Sequence, residues 1–200
     1  PQSEIDRQKS YMKTIYPLSN VTFVQKPWTE IGPTTISNTL TSLNTYYNTT
    51  AFAWVISVIL TGEQPFTLPD QIYGFTPSGG GTSDPPWLGG AGRVARGFIG
   101  SSEEGTMAHE INHNLDRSAN GTWGRHVNPN NQGCGAGGQD PNWPFSDANT
   151  HEVGFDTRLP WSPSGSTLSV IPNTTPEIMS YCQSGLVSPT KWISGYRWGN

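Results

Sequence analysis

Charged residues are scarce in this sequence, and no part of it concentrates basic ones. Asp, Glu, Lys and Arg make up 13% of the 200 residues, and the formal net charge is −4. A nucleic-acid-binding surface needs a basic patch, so we expect no nucleic-acid partner. The longest apolar run, Ala51 to Leu60, is only about half as long as a membrane-spanning helix requires. We therefore expect no membrane span.

Cysteine is nearly absent as well. The two present, Cys134 and Cys182, stand in a chain that is rich in asparagine, threonine and tryptophan but poor in lysine. One disulfide in such a chain is typical of a secreted protein, and two buried free thiols are the alternative. The 23 glycines and 17 prolines indicate many loops, while eight Trp, seven Tyr and seven Phe can build a core. We expect a secreted, monomeric globular protein.

Helices and strands alternate before the histidines. Periodic apolar residues predict helices over Ser3 to Tyr16 and Thr34 to Tyr47. Strands are predicted at Val21 to Gln25, Ala51 to Leu60, Ile72 to Pro77 and Arg93 to Gly100. The second of these is apolar throughout, which predicts a central, buried position in the sheet. The pattern favours an α+β fold in one domain, 1–200, with a sheet-and-helix subdomain (about 1–118) and a loop-rich one (about 119–200).

One short stretch carries the motif HExxH, formed by His109, Glu110 and His113. The surrounding pattern predicts a helix from Glu103 to Leu115. Residues four apart lie on one face of a helix, so each imidazole can give one ring nitrogen to the same zinc ion. The glutamate is not a ligand in this motif; it faces a water on the metal and can take its proton.

A second motif lies far downstream, where TPEIMSYC (Thr175 to Cys182) centres a turn on a methionine. HExxH followed at a distance by such a Met-turn resembles the metzincin metallopeptidases, from about Val21 to Cys182. The resemblance implies a twisted mixed sheet with packed helices, an active-site helix and an irregular C-terminal lobe ending in the Met-turn. It also implies one catalytic Zn²⁺. Met179 would lie beneath the zinc ligands, and Tyr181 would reach the metal or the oxyanion.

The third ligand departs from that family's pattern, HExxHxxGxxH. Where the family has its glycine and last histidine, this chain has Asp116 and Ala119, and alanine cannot bind zinc. We predict that an insertion in the turn displaces the third ligand to His126. Three alternatives stay open: Asp116 on the same helix, His151, and Glu152, which has the spacing of the thermolysin-like class.

The implied activity is that of a secreted zinc endopeptidase, which cleaves a protein or peptide substrate with a zinc-bound water activated by Glu110. A non-catalytic zinc- or carbohydrate-binding module and a zinc amidase acting on non-protein amides are the alternatives. The resemblance places the substrate beside an edge strand, expected within Gly89 to Gly97. A Cys134–Cys182 disulfide would join the C-terminal loops beneath the metal. The loop Asp140 to Asp147 could bind calcium, although its spacing favours a plain turn.

Overall fold

The structure of the protein, a computed structural model, describes residues 2–16, 18, 20–26, 38–85, 92–99, 105–115, 124–127, 139–156, 170–182 and 191–194. These residues form a small α+β fold with three helices and a small mixed sheet. The helices are α1 (Gln2–Ile15), α2 (Thr39–Thr61) and α3 (Thr106–Leu115). The strands are β1 (Ile72–Thr76), β2 (Thr82–Ser83), β3 (Val94–Phe98), β4 (Gly154–Phe155) and β5 (Val170–Ile171). No helix in these ranges is long and apolar enough to cross a membrane.

Helix α1 confirms the first predicted helix and supports α3. Its buried face includes Tyr11, Met12 and Ile15. The buried Gln8 accepts a hydrogen bond from the backbone N–H of Met107 (N···O 3.3 Å), in the first turn of α3. First-turn N–H groups have no partner within their own helix, so α1 supplies one from outside. The helix with the HExxH motif is thus fixed at its beginning by a neighbouring helix.

The apolar run from Ala51 to Leu60 is not the central strand that its composition predicts. It is the second half of α2, and much of its apolar surface is exposed, with Leu60 77% exposed. No glycine or proline occurs between Thr39 and Gly62, so the helix continues through the run, because each added residue gains a backbone hydrogen bond. Gly62 ends the helix with a left-handed φ of 73°. The helix predicted from Thr34 is confirmed from Thr39 onward.

Strand β3 lies in the middle of the sheet, whose order is β1-β3-β2. It pairs in parallel with β1 and antiparallel with β2. The strands predicted at Ile72 to Pro77 and Arg93 to Gly100 are therefore confirmed. The expectation of an edge strand within Gly89 to Gly97 is wrong for its described part, because both edges of β3 are paired. The antiparallel edge of this sheet is the short strand β2.

The segment from Val21 to Gln25 forms no strand, contrary to the prediction. Val21 and Phe23 are partly buried against the core, and the Phe23 ring lies 5.8 Å from Lys9 Nζ and 5.4 Å from Lys13 Nζ on α1. The alternating apolar side chains cover a helix instead of joining a sheet. Period-two alternation indicates a half-buried extended chain, whatever surface it covers.

The hydrophobic core lies between α1, α3 and the Met-turn. Its buried members are Tyr11, Met12, Ile15, Tyr16, Met107, Ala108, Ile111, Val127, Ala148, Ile178, Met179, Cys182 and Ile193. The core therefore joins residues from both ends of the chain. The proposed division into subdomains at about residue 118 stays a prediction.

Candidate metal centre

Helix α3 presents the HExxH side chains as predicted. His109, Glu110 and His113 are all buried, at 2%, 6% and 6% exposed. At the far end of the helix, Asn114 Nδ2 donates to the backbone oxygen of Val94 in β3 over 2.8 Å. Together with the contact from α1, this bond fixes both ends of α3 against the fold.

His126 returns to α3 on a short segment, residues 124–127, whose backbone is bonded on both sides. The N–H of Val127 donates to the oxygen of Met179 (3.0 Å), and the oxygen of His126 accepts from the N–H of Asp140 (2.8 Å). Isolated bridges of the β type accompany these bonds. Main-chain pairing with the Met-turn therefore sets where this half-buried histidine lies.

The three histidines come together. His126 Nε2 lies 3.3 Å from His109 Nε2, and one nitrogen from each of His109, His113 and His126 lies within 4.8 Å of the other two. These three residues could hold a metal ion, and no other group of this kind occurs in the part of the chain that the structure describes. His126 is the third-ligand candidate that the geometry brings to the pair on α3.

Backbone oxygens orient two of the imidazoles. His109 Nδ1 lies 2.9 Å from the oxygen of Ile178, and His113 Nδ1 contacts the oxygen of Gly124. A carbonyl can only accept, so each Nδ1 carries the proton and each Nε2 keeps a lone pair for a cation. Burial, followed by the nearby His113 and His126, holds the pKa of His109 well below its usual value. The neutral imidazole, which is the form that binds metals, is therefore favoured.

Glu110 carries its carboxylate into a buried environment. Burial raises the pKa of Glu110 to about 8, while a hydrogen bond from Ser83 and the charge of Arg96 act in the opposite direction. The carboxylate lies toward β2, since a Cβ placed on Gly81 would overlap it. A carboxyl group whose pKa lies near neutrality can both take and return a proton at physiological pH.

The Met-turn contributes a methionine, a carbonyl and a phenol. Met179 is fully buried, and its neighbour Ile178 supplies the oxygen that orients His109. The hydroxyl of Tyr181 lies 3.4 Å from His109 Nε2. Burial, with a smaller effect from the charge of Glu110, raises the pKa of Tyr181 to about 12. Tyr181 therefore stays protonated at neutral pH and can donate a hydrogen bond beside the cluster.

Two of the three alternative third ligands, His151 and Glu152, are not brought to the pair on α3. His151, which has a positive φ of 61°, places Nε2 2.6 Å from Asp147 Oδ1 and stacks on Phe145 at 3.9 Å between ring centres. The neighbouring Glu152 is exposed and is not in the histidine group. Asp116 lies outside the described residues. His126 is therefore the candidate that the geometry favours.

The carboxylates considered for calcium serve the backbone of their own loop. Asp140 Oδ1 accepts from the N–H of Asn142 (2.9 Å), and Asp147 Oδ1 accepts from the N–H of Asn149 (3.0 Å). Bonds from an aspartate to the N–H two residues on are those of Asx turns. This geometry favours the plain turn, and calcium binding stays an expectation.

Sequence reasoning missed a buried lysine behind the Met-turn. Lys191 is fully buried, its ammonium donates to the oxygen of Ser180, and it lies 6.0 Å from the centre of the Tyr181 ring. Burial lowers the pKa of Lys191 to about 8, and the buried Glu177 acts against that shift. A single lysine in a loop-rich segment gives no sequence signal of such a position, because its burial depends on distant residues.

The lysine gives a pH-dependent stability. The usual pKa of 10.5 applies in the unfolded chain, so between pH 8 and pH 10.5 the unfolded chain binds more protons than the folded one. The free energy of unfolding, relative to that of Lys191→Met, should rise across this window and stay flat below pH 8. Urea unfolding of both proteins at several pH values measures it. A difference that is flat or falls above pH 8 would contradict the buried charge.

Comparisons of the chain with protein-family models, with curated proteins and with solved structures find no match.

Proposed function

We propose that this protein is a secreted zinc endopeptidase of the metzincin type. The observation that carries the proposal is the convergence of three imidazole nitrogens beside a buried glutamate that is not part of the nitrogen cluster. Zinc favours nitrogen ligands in tetrahedral sites with three protein groups and one open position. His109, His113 and His126 would hold the ion.

The spacing of one pair of nitrogens matches zinc. Two nitrogens bound to one tetrahedral ion at the usual zinc–nitrogen distance are about 3.3 Å apart. The separation of His109 Nε2 and His126 Nε2 is 3.3 Å. Three imidazoles without a carboxylate among them match a catalytic zinc site better than a calcium or magnesium site, which prefers oxygen.

The side chains around the cluster suit hydrolysis of an amide. When bound, zinc supplies a Lewis acid that polarises the scissile carbonyl and acidifies water. Glu110, whose carboxylate lies beside the cluster and is not one of its three members, would take the proton of the attacking water and return it to the leaving amine. Tyr181, protonated at neutral pH, donates a hydrogen bond to the negative charge that develops on the substrate oxygen.

An extended peptide has a place to bind beside these groups. Among the described strands, β2 has one neighbour, β3, so its other edge is not paired with any of them. Gly81, just before β2, lies against Glu110. A peptide that adds a strand to an open edge gains main-chain hydrogen bonds whatever its sequence. We therefore assign substrate binding to β2, in place of the internal strand that the sequence suggested.

Secretion and the disulfide belong to the same proposal. Cys182, at the end of the Met-turn, is buried and disulfide-bonded. Cys134, its predicted partner, lies outside the described residues, so the pairing stays a prediction. Disulfides persist in oxidising compartments, which favours an extracellular protein.

Metal removal tests the proposed function. The purified protein should contain one zinc ion, hydrolyse casein, lose that activity to a chelator and regain it when zinc is added back. Hydrolysis that continues in the metal-free protein would overturn the proposal. Tight zinc binding without hydrolysis of any peptide would instead favour the non-catalytic binding module.

A further inference from the structure

The carboxylate of Glu110 packs against the chain at the beginning of β2. We call the surface that Gly81 and Ser83 form there the seat of the carboxylate. A Cβ added to Gly81 would lie 2.7 Å from Glu110 Cγ and 2.8 Å from Cδ, and it would overlap Oε1. Cβ atoms essentially never come within 3.0 Å of a nonbonded heavy atom. The carboxylate therefore occupies the space that any side chain at position 81 would need.

Ser83 holds the same carboxylate from the next position on that face. In extended chain, alternate residues point the same way, so Gly81 and Ser83 face α3 while Thr82 faces away. The Ser83 side chain is near enough to the Glu110 carboxyl to lower its pKa as a hydrogen-bond donor does. Because Ser83 also pairs with Ala95 in the sheet, its backbone is held in register with β3.

Arg96 fixes the glycine segment from the neighbouring strand. Its Nη1 donates to the backbone oxygen of Gly80 over 3.0 Å, and its Cα is paired with that of Thr82. The exposed glycines before β2 are therefore tied to the centre of the sheet. The carboxylate of Glu110 therefore packs against a segment whose backbone is held by this hydrogen bond and by the pairing with β3.

We propose that Gly81 and Ser83 are positioning residues that hold the carboxylate of Glu110 beside the histidine cluster and away from the metal itself. A carboxylate that is free to rotate can become a fourth ligand and block the open position, whereas a seated one stays available to accept a proton. This inference rests on the proposed function, because the role of Glu110 as a base belongs to it. Neither residue belongs to the histidine cluster, so the role proposed for them is to position Glu110.

Unfolding experiments test the seat without any need for activity. Gly81→Ala should lower the urea midpoint of the otherwise unchanged protein, and the loss should disappear when Glu110 is replaced by alanine, because the overlapping atoms are gone. Gly80→Ala is the matched control: a Cβ there meets nothing within 4 Å, and neither glycine has a positive φ. Equal effects of Gly81→Ala in both backgrounds, or effects equal to those of Gly80→Ala, would overturn the inference.

Kinetics test what the seat does. Ser83→Ala should lower kcat by roughly 10- to 100-fold with little change in KM or zinc affinity, since displacement of a reacting group by about 1 Å costs that much. Ser83→Thr, which keeps the hydroxyl, should restore most of the rate. The exposed Ser78 provides the control, as Ser78→Ala should change nothing. A rise in KM alone would mean that Ser83 binds substrate and does not position Glu110.

The two kinds of experiment separate the two proposals. If the zinc-loaded wild-type protein cleaves no peptide, the proposed function fails, and the unfolding comparison still decides whether Gly81 seats the carboxylate. If the protein is active but Gly81→Ala and Ser83→Ala behave like their controls, the inference fails and the function stands.

Discussion

Replacement of Glu110 by glutamine should remove hydrolysis and leave zinc bound. The amide keeps the shape of the side chain but cannot take a proton from water, so the rate should fall by roughly 100- to 10,000-fold. None of the three clustered imidazoles is changed, so the protein should still contain one zinc ion. Casein hydrolysis and metal analysis on the same preparation measure both quantities.

Glu152 offers a matched control for this substitution. It is an exposed glutamate outside the histidine cluster, and it is also one of the alternative third ligands. Glu152→Gln should retain both full activity and full zinc content. Activity that survives Glu110→Gln, or zinc that is lost with Glu152→Gln, would contradict the assignment of roles.

Replacement of His126 by alanine should release zinc. Loss of a residue that merely orients a ligand weakens metal binding by about 10- to 100-fold, so loss of a ligand should weaken it by more than about 100-fold. Activity should disappear with the metal and return in part at high zinc concentration. Competition with a chromophoric chelator gives the affinity.

His151→Ala is the control that separates the two downstream histidines. His151 pairs with Asp147 and is not in the cluster, so its loss should leave the zinc affinity unchanged. Asp116→Asn extends the comparison to the candidate that lies outside the described residues. Zinc loss in either of these variants, together with zinc retention in His126→Ala, would replace the ligand set proposed above.

The helix with HExxH was predictable because all of its determinants are local. Spacing, apolar periodicity and motif lie within a dozen residues, and α3 forms where the pattern indicates. Strands β1 and β3 were predictable for the same reason. The candidate third ligand was harder, because residues 116–126 contain no compact motif. His126 was predicted only by interpreting the residues after Asp116 as an insertion in the turn, with Gly124 just before the histidine.

The errors arose where tertiary contacts decide the outcome. The run Ala51 to Leu60 has the composition of a buried strand, yet it continues a helix that starts well before it and ends only at Gly62. Val21 to Gln25 has the alternation of a strand, but a helix surface covers its apolar face. Periodicity reports which side chains avoid water and does not report which element they cover.

The contacts of Glu110 could not have been read from the sequence at all. Gly81 and Ser83 lie nearly 30 residues before the glutamate, in a stretch whose glycines suggest only a turn. Their proximity follows from the antiparallel pairing of β2 with β3, which brings that stretch against α3. Lys191 is a similar case, since its burial depends on the Met-turn and on α1.

The backbone hydrogen bond between Val127 and Met179 links metal binding to local unfolding of the C-terminal part of the chain. An ion held by α3 and by His126 would cross-link the first half of the chain to its C-terminal part, which also carries the carbonyl of Ile178 that orients His109. Departure of the metal and local unfolding of the C-terminal part are then linked equilibria, so each promotes the other. Amide hydrogen–deuterium exchange at Val127 measures this link, because the exchange rate of its N–H should rise when the metal is removed.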